Sequence, residues 1–217
     1  MNPKEYWEKK SRPWERSRYS LLGIVLPTSW SLRARLSIAK NWIEDRVRSQ
    51  PGASVADLGC GSGLLAKRID KQLHFFYAGI DFSEAAIRAA KQRKLPSKFR
   101  FTLTSLERAL PFQADFCLAL GLTDWLDSRT LERLFAETRS HDLLISYTSS
   151  KKRASFKVYS LYRKFYDSEK PSARSFSDDE FFRIYSRYGW HLHQDLSHFL
   201  TAPGKILWLR NTSSPST

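Results

Sequence analysis

The chain has 217 residues, 41% hydrophobic and 27% charged, which suits one α/β domain with a sizeable core. Lys and Arg number 36 against 22 Asp and Glu, a formal net charge of +14, so the surface attracts polyanions: nucleic acid, anionic lipid or an acidic small molecule. No apolar run is long enough to span a bilayer, the charge-rich residues 1–18 do not read as a signal peptide, and Cys60 and Cys117 sit in no CxxC or metal-ligand pair, so a cytoplasmic location is expected.

Residues 1–50 read as a basic, aromatic, helical cap. Tyr6, Trp7, Trp14, Tyr19 and Trp30 crowd its first part, and Leu32, Leu36, Ala39, Trp42 or Ile43, and Val47 then recur at helical spacing until Pro51-Gly52. Over 51–210 the patterns alternate: strand 54–58, helix 64–72, strand 75–81, helix 83–93, strands 99–104 and 115–120, helix 130–139, strand 142–147. Such alternation predicts a mostly parallel sheet with helices on both faces. A helical, aromatic insertion is expected over 150–176, with Tyr159, Tyr162 and Tyr166 in its helix. Ser177 and Glu180 form a capping box, Gly189 is placed to end the helix that follows, and strands 190–196 and 205–210 make a closing hairpin at the sheet edge. Residues 211–217 read as a disordered tail.

Two stretches carry chemistry. Val55-Ala56-Asp57-Leu58-Gly59-Cys60-Gly61-Ser62-Gly63 places three glycines at alternate positions between a strand and a helix. Glycine lets the chain turn sharply and lets backbone approach a ligand. A dinucleotide loop or a plain strand–helix turn uses glycine in the same way, but GxGxxG needs glycine where Leu64 stands. Asp57 offers a carboxylate to orient the loop and the ammonium end of an amino-acid-bearing cofactor. About 20 residues on, Tyr77-Ala78-Gly79-Ile80-Asp81 ends the next strand with an acid able to accept both hydroxyls of a ribose. Ser83 reads as the cap of the following helix.

Together, VADLGCGSG and YAGIDFSEAAIRAA resemble class I S-adenosylmethionine-dependent methyltransferases of the small-molecule type. The resemblance covers residues 55–147 and, by element order, extends to Arg210. It implies a Rossmann-like seven-stranded sheet whose last strand is antiparallel, with S-adenosyl-L-methionine as cofactor. It implies that Asp57, Gly59, Cys60, Gly61 and Gly63 line the methionine part and that Asp81 and Phe82 line the adenosine. Ser105 and Leu106 fall where the family carries an acid for the adenine amino group, and Leu120 falls at the end of the fourth strand, beside the cofactor.

Methyl transfer from a sulfonium is an in-line displacement, so alignment and a dry pocket matter most. A general base is needed only where the nucleophile has a proton to lose. Ligands of open parallel sheets bind at the carboxyl ends of the strands. That rule selects Asp124, Tyr147 and His198 as candidate catalytic residues, each with a loop or packing role as the alternative, and it discards His74 and His141. His191 and His193 alternate along the sixth strand with no third ligand, so no metal is expected. Lys151, Lys152 and Arg153 fall at the presumed mouth, suited to a carboxylate or phosphate, and the aromatic N-terminus is placed to fold over the pocket as a lid.

The expected activity is methyl transfer to an oxygen or nitrogen of a small anionic or aromatic acceptor. The stretch LALGLTDWL lacks the Asn/Asp-Pro-Pro-Tyr/Phe signature of amino-nucleobase methyltransferases, and neither cysteine has a Pro-Cys context. A likeness of the carboxyl third to magnesium-protoporphyrin O-methyltransferases is too diffuse to name an acceptor. An RNA methyltransferase using the basic surface, and a non-catalytic protein that binds cofactor, RNA or membrane, stand as alternatives. Peripheral membrane contact and oligomeric state stay open.

Overall fold

In the computed structural model, seven strands form one sheet: β1 (Ser54–Leu58), β2 (Phe76–Asp81), β3 (Phe99–Leu103), β4 (Phe116–Ala119), β5 (Asp142–Thr148), β6 (Trp190–Asp195) and β7 (Gly204–Asn211). Their order is β3-β2-β1-β4-β5-β7-β6. β1 to β5 pair in parallel, and β7 runs antiparallel to both β5 and β6. The predicted closing hairpin therefore forms with its last strand turned inward, and β6 is the edge. Residues 5–9, 27–150, 173–201 and 204–212 are described. Trp14, Tyr19, Lys151, Lys152, Arg153, the insertion tyrosines Tyr159, Tyr162 and Tyr166, and the tail from 213 lie outside them.

The central strands are apolar on both sides because helices cover both faces. All four residues of β4 are buried, and six of the seven in β5. One face packs against α1 (Pro27–Ser49), α2 (Leu64–Arg68) and α3 (Glu84–Lys91) through Ala39, Trp42, Ile43, Leu65, Ala66, Ile87 and Ala90. The helix between β3 and β4 is the short α4 (Leu106–Ala109). The other face packs against α5 (Ser128–Glu137) and α6 (Asp178–Ser186) through Leu131, Leu134, Phe135, Phe181 and Tyr185.

Buried polar groups fix the register. Trp208 Nε1 and Arg210 Nε on β7 both donate to Asp142 Oδ1 on β5, at 2.7 and 3.0 Å. Glu44 of α1 accepts from Lys40 Nζ and from the Asp70 amide, so α1 is tied to the end of α2. That tie matters for the site, because α1 also carries residues of the cleft.

Several boundaries depart from the sequence pattern for local reasons. α2 stops at Arg68, short of the expected residue 72, because Ile69 takes an extended conformation. Asp115 lies just outside β4, and its carboxylate accepts the Ser54 amide at 2.7 Å and the Ser54 hydroxyl at 2.6 Å. α1 begins at Pro27, ahead of the periodic stretch. A two-residue ladder between Phe112–Gln113 and Thr138–Arg139 leaves no periodic signal and was not expected. In β6 a bulge between Leu192 and Gln194 breaks the alternation assumed for His191 and His193, and the His193 ring packs 3.9 Å from that of Trp208.

The capping box forms as the sequence requires. The Glu180 amide donates to Ser177 Oγ at 3.0 Å, and the Ser177 amide donates to Glu180 Oε2 at 3.4 Å. Ser177→Ala is expected to cost about 1 kcal/mol. For a chain of this size that is a fall of about 2–4 °C in Tm, read by thermal denaturation.

Candidate active site

At the carboxyl end of β1 the chain must reverse tightly to enter α2. Gly59, Gly61 and Gly63 take φ values of +77°, +55° and +71°, the left-handed region that favours glycine. The loop then closes on itself. The amides of Gly59 and Cys60 both donate to Ile80 O at 2.9 Å, that of Gly63 donates to Cys60 O at 3.1 Å, and that of Gly61 donates to Asp81 Oδ2 at 2.9 Å. The other Asp81 oxygen accepts the Ser83 amide at 2.9 Å, while Ser83 Oγ caps α3 by accepting from Ala86. Arg93 holds the far side through the carbonyl and hydroxyl of Ser62.

This bonding separates two readings of a glycine loop. A dinucleotide-binding loop presents amides to a pyrophosphate. Here the amides of Gly59, Cys60, Gly61 and Gly63 are already bonded inside the protein, and the neighbouring side chains are acids. The donor set suits a cation without phosphates.

The loop, the Asp81 turn, the end of β4 and α1 enclose a cleft of about 200 Å³. Asp57, Gly59, Cys60, Gly61, Asp81, Phe82 and Leu120 line it, among the residues picked out from sequence. Gly63, Ser105 and Leu106 do not. A Cβ on Gly63 would meet Phe101 at 3.1 Å and Ala90 at 3.2 Å, so its smallness serves helix–sheet packing. Ser105 is the N-cap of α4 without a side-chain cap bond, and Leu106 is a core residue. Sequence reasoning missed Leu32, Arg35, Leu36, Leu122 and Ser83 as cleft residues, whereas Trp7 belongs to the aromatic N-terminal segment expected to fold over the pocket. Only the periodicity of α1 pointed toward Leu32 and Leu36, and nothing in it singled out Arg35.

The acids of the cleft are unusual. Asp57 is 4% exposed, and burial, reinforced by the nearby Asp81, raises its carboxyl to about 6 even though the Tyr77 hydroxyl donates to it. Asp81 is raised by burial and by the charge of Glu8, against the lowering effect of its two amide donors. Residues 5–9 are helical and lie against the cleft: Trp7 lines it, meeting Trp125 edge to face at 5.5 Å, and Glu8 Oε1 accepts the Ala85 amide at 3.0 Å.

The three candidate catalytic residues all have other engagements. Asp124, in the turn Thr123–Trp125, accepts the Thr148 amide at 2.8 Å and the Thr148 hydroxyl at 2.6 Å. Tyr147 is buried, stacks on Phe181 at 4.0 Å and donates to Asp178 Oδ1 at 2.9 Å, and burial with that bond drives its hydroxyl far above the usual range. His198 is exposed, and its Nδ1 accepts the Leu200 amide. Asp124 and Tyr147 border a second cavity of about 20 Å³, which shares Arg35 with the main cleft and also includes Lys205; His198 lines neither. Cys60 and Cys117 are buried and form no disulfide among the described residues, and burial raises the Cys117 thiol to about 12. Among the described residues no helix is long and apolar enough to cross a membrane.

Comparison with known proteins agrees with this geometry. Residues 55–141 match the family model described as a methyltransferase domain. No curated protein gives a significant sequence match. Among solved structures, magnesium protoporphyrin IX methyltransferase from Synechocystis PCC 6803 with bound SAH superposes with a TM-score of 0.76 at 16% identity, covering 96% of this chain and 98% of that one. The same enzyme with bound SAM gives 0.70 at 15%, over 96% and 95%. A SAM-dependent methyltransferase from Methanosarcina mazei gives 0.55 at 18%, over 75% and 93%. Residues 55–141 thus match a methyltransferase domain, and the chain shares the fold of methyltransferase structures solved with bound SAH and SAM.

Proposed function

We propose that the chain is a class I S-adenosylmethionine-dependent methyltransferase whose acceptor is a small, flat anion methylated on a carboxylate oxygen. The observation that carries this reading is the aromatic and basic part of the cleft lining. Trp7 and Trp125 stand there as an edge-to-face pair, and Arg35 comes close enough to Gly121 that a Cβ at that glycine would lie 2.8 Å from its Nη1. An aromatic wall accepts a planar ring, and a guanidinium accepts a carboxylate in bidentate fashion.

The engaged state of the candidate bases points the same way. Asp124 and Tyr147 spend their side-chain oxygens on neighbouring protein groups, and His198, which lines neither cavity, accepts the Leu200 amide on Nδ1. A carboxylate acceptor is already ionised at neutral pH and needs no base. Asp57 is suited to the cofactor's ammonium group, and Asp81 with Phe82 to its adenosine. When bound, the cofactor supplies an activated methyl group on a sulfonium. The chain's own part is to orient it from the acid side, hold the acceptor on Arg35, and exclude water with Trp7, Leu36, Leu122 and Trp125.

Radiolabelled methyl transfer into a fractionated lysate tests the acceptor class. Label is expected in small molecules and should be released as methanol by mild alkali, as a methyl ester requires. Alkali-stable label would mark an amine or ether, and label in RNA would favour the alternative that the +14 charge keeps in view. Porphyrin carboxylates are the first defined compounds to assay, given what the Synechocystis enzyme is named for. With an acceptor in hand, Arg35→Ala is expected to raise its KM by about tenfold or more and leave cofactor affinity within about twofold. The opposite split would place Arg35 on the cofactor instead.

The acid side has its own test. Asp81→Ala removes a ribose acceptor and also frees the Gly61 and Ser83 amides. Calorimetric titration should show cofactor binding weakened by about 1.5–3 kcal/mol in a folded variant. Unchanged affinity would mean that Asp81 serves the loop alone.

A further inference from the structure

We propose that Tyr77 is a positioning residue for the cofactor's amino-acid end, holding one oxygen of Asp57 so that the other faces the cleft. The two residues lie on adjacent strands. Val55 of β1 pairs with Tyr77 of β2 and Asp57 pairs with Gly79, so both side chains project from the sheet face covered by α1, α2 and α3. The Tyr77 hydroxyl donates to Asp57 Oδ2, and this is the carboxylate's hydrogen bond among the described residues. Asp57 also lines the cleft.

Tyr77 has little freedom to do anything else. It is 1% exposed, and its ring lies 5.4 Å from that of Phe99 and 6.0 Å from that of Phe101. The hydroxyl is thereby fixed beneath the first acid of the glycine loop. A phenylalanine would fill the same apolar site without any need for a partner. The tyrosine adds one donor, aimed at a carboxylate that would otherwise face the protein interior with no compensation.

The charges around Asp57 show what that donor changes. Burial and Asp81 both favour the neutral acid, while the Tyr77 bond favours the ionised one; the balance lies at about 6. Cys60 adjoins Tyr77, Arg35 lines the same cleft from α1, and Glu8 acts on Asp81 from residues 5–9. Between the ordinary carboxyl value of 3.8 and about 6, the folded protein holds a proton that the unfolded chain has released, so ionising Asp57 as pH rises through this window destabilises the fold. The ammonium of the cofactor needs the ionised form. Its affinity should therefore fall as pH drops through about 6 and be complete only well above it. Without the tyrosine's donor, that fall should begin at higher pH.

The experiment is calorimetric titration of S-adenosylhomocysteine, which keeps the ammonium and cannot react, into wild type and Tyr77→Phe at pH 6 and pH 8. The affinity ratio cancels the ligand's own ionisation. Wild type is expected to bind about fivefold to tenfold more tightly than the variant at pH 6 and within about twofold at pH 8. A loss equal at both pH values means a packing role, and no loss at either means no role; each overturns the proposal. In an Asp57→Asn background, Tyr77→Phe should change affinity by less than about twofold, because no carboxylate remains whose ionisation the hydroxyl favours. A larger loss there also overturns it. Should Tyr77→Phe not fold, 3-fluorotyrosine placed at position 77 keeps the shape and strengthens the donor: binding at pH 6 should tighten relative to wild type and binding at pH 8 should stay within about twofold. No difference at pH 6 would overturn the proposal.

Discussion

Asp81 accepts two backbone amides at once, Gly61 from the glycine loop and Ser83 from the start of α3. These groups lie on two separate strand–helix turns, about 20 residues apart in sequence. Binding both to one carboxylate sets the distance between the turns and so the width of the cleft between them. A neutral amide side chain would offer one acceptor where the carboxylate offers two, and the second turn would be released. A carboxylate also has lone pairs left after two bonds, which lets one residue hold the loop and still face a ligand. The loop glycines make this possible, because side chains at three left-handed positions would strain the turn that brings the Gly61 amide to Asp81.

The sheet places that acid pair by means that have little to do with the ligand. β1 is central, flanked by β2 and β4, and its residues alternate between the two covered faces. Asp57 occurs in a strand whose other interior residues are apolar, and it stays polar only because its tip reaches the cleft and Tyr77 reaches its tip. At the amino end of β5, on the same face of the sheet, Asp142 does structural work of the same chemical type, accepting from Trp208 and Arg210 to seat β7 between β5 and β6. One buried acid fixes topology, the other faces the site; what separates them is whether a cavity adjoins the carboxylate.

Much of this could be read from the sequence, and the boundary of what could not has a physical cause. Strand positions, the glycine loop, Asp81, the Ser83 cap and the Ser177 capping box follow from local patterns, since each depends on residues within a few positions of one another. The likeness over 55–147 supplied the expectation of a seven-stranded sheet with an antiparallel last strand, and the cofactor. Arg35 was missed because its significance comes from Gly121, some 86 positions on, whose missing side chain makes room for the guanidinium. Tyr77 reads as an ordinary strand aromatic until β1 is seen beside it. Asp124, Tyr147 and His198 were chosen for the correct sheet edge, which topology could show; their hydrogen bonds to Thr148, Asp178 and the Leu200 amide depend on tertiary contacts or tight-turn geometry that spacing does not reveal.

The charge distribution within the cleft explains why a highly basic protein should prefer a cationic cofactor. The overall excess of +14 would draw phosphates to its surface. Inside the cleft the field is reversed. Asp57 and Asp81 each stand where burial raises the cost of ionisation, Asp81 adds to that cost for Asp57, and Glu8 adds to it for Asp81. An anionic ligand there would bring a further like charge into a poorly solvated site and find the loop amides already bonded. A ligand carrying a sulfonium and an ammonium instead compensates charges that the fold holds at a cost. The same charges that make the free cleft unfavourable thus make it selective for a cation, although Arg35 also lines it.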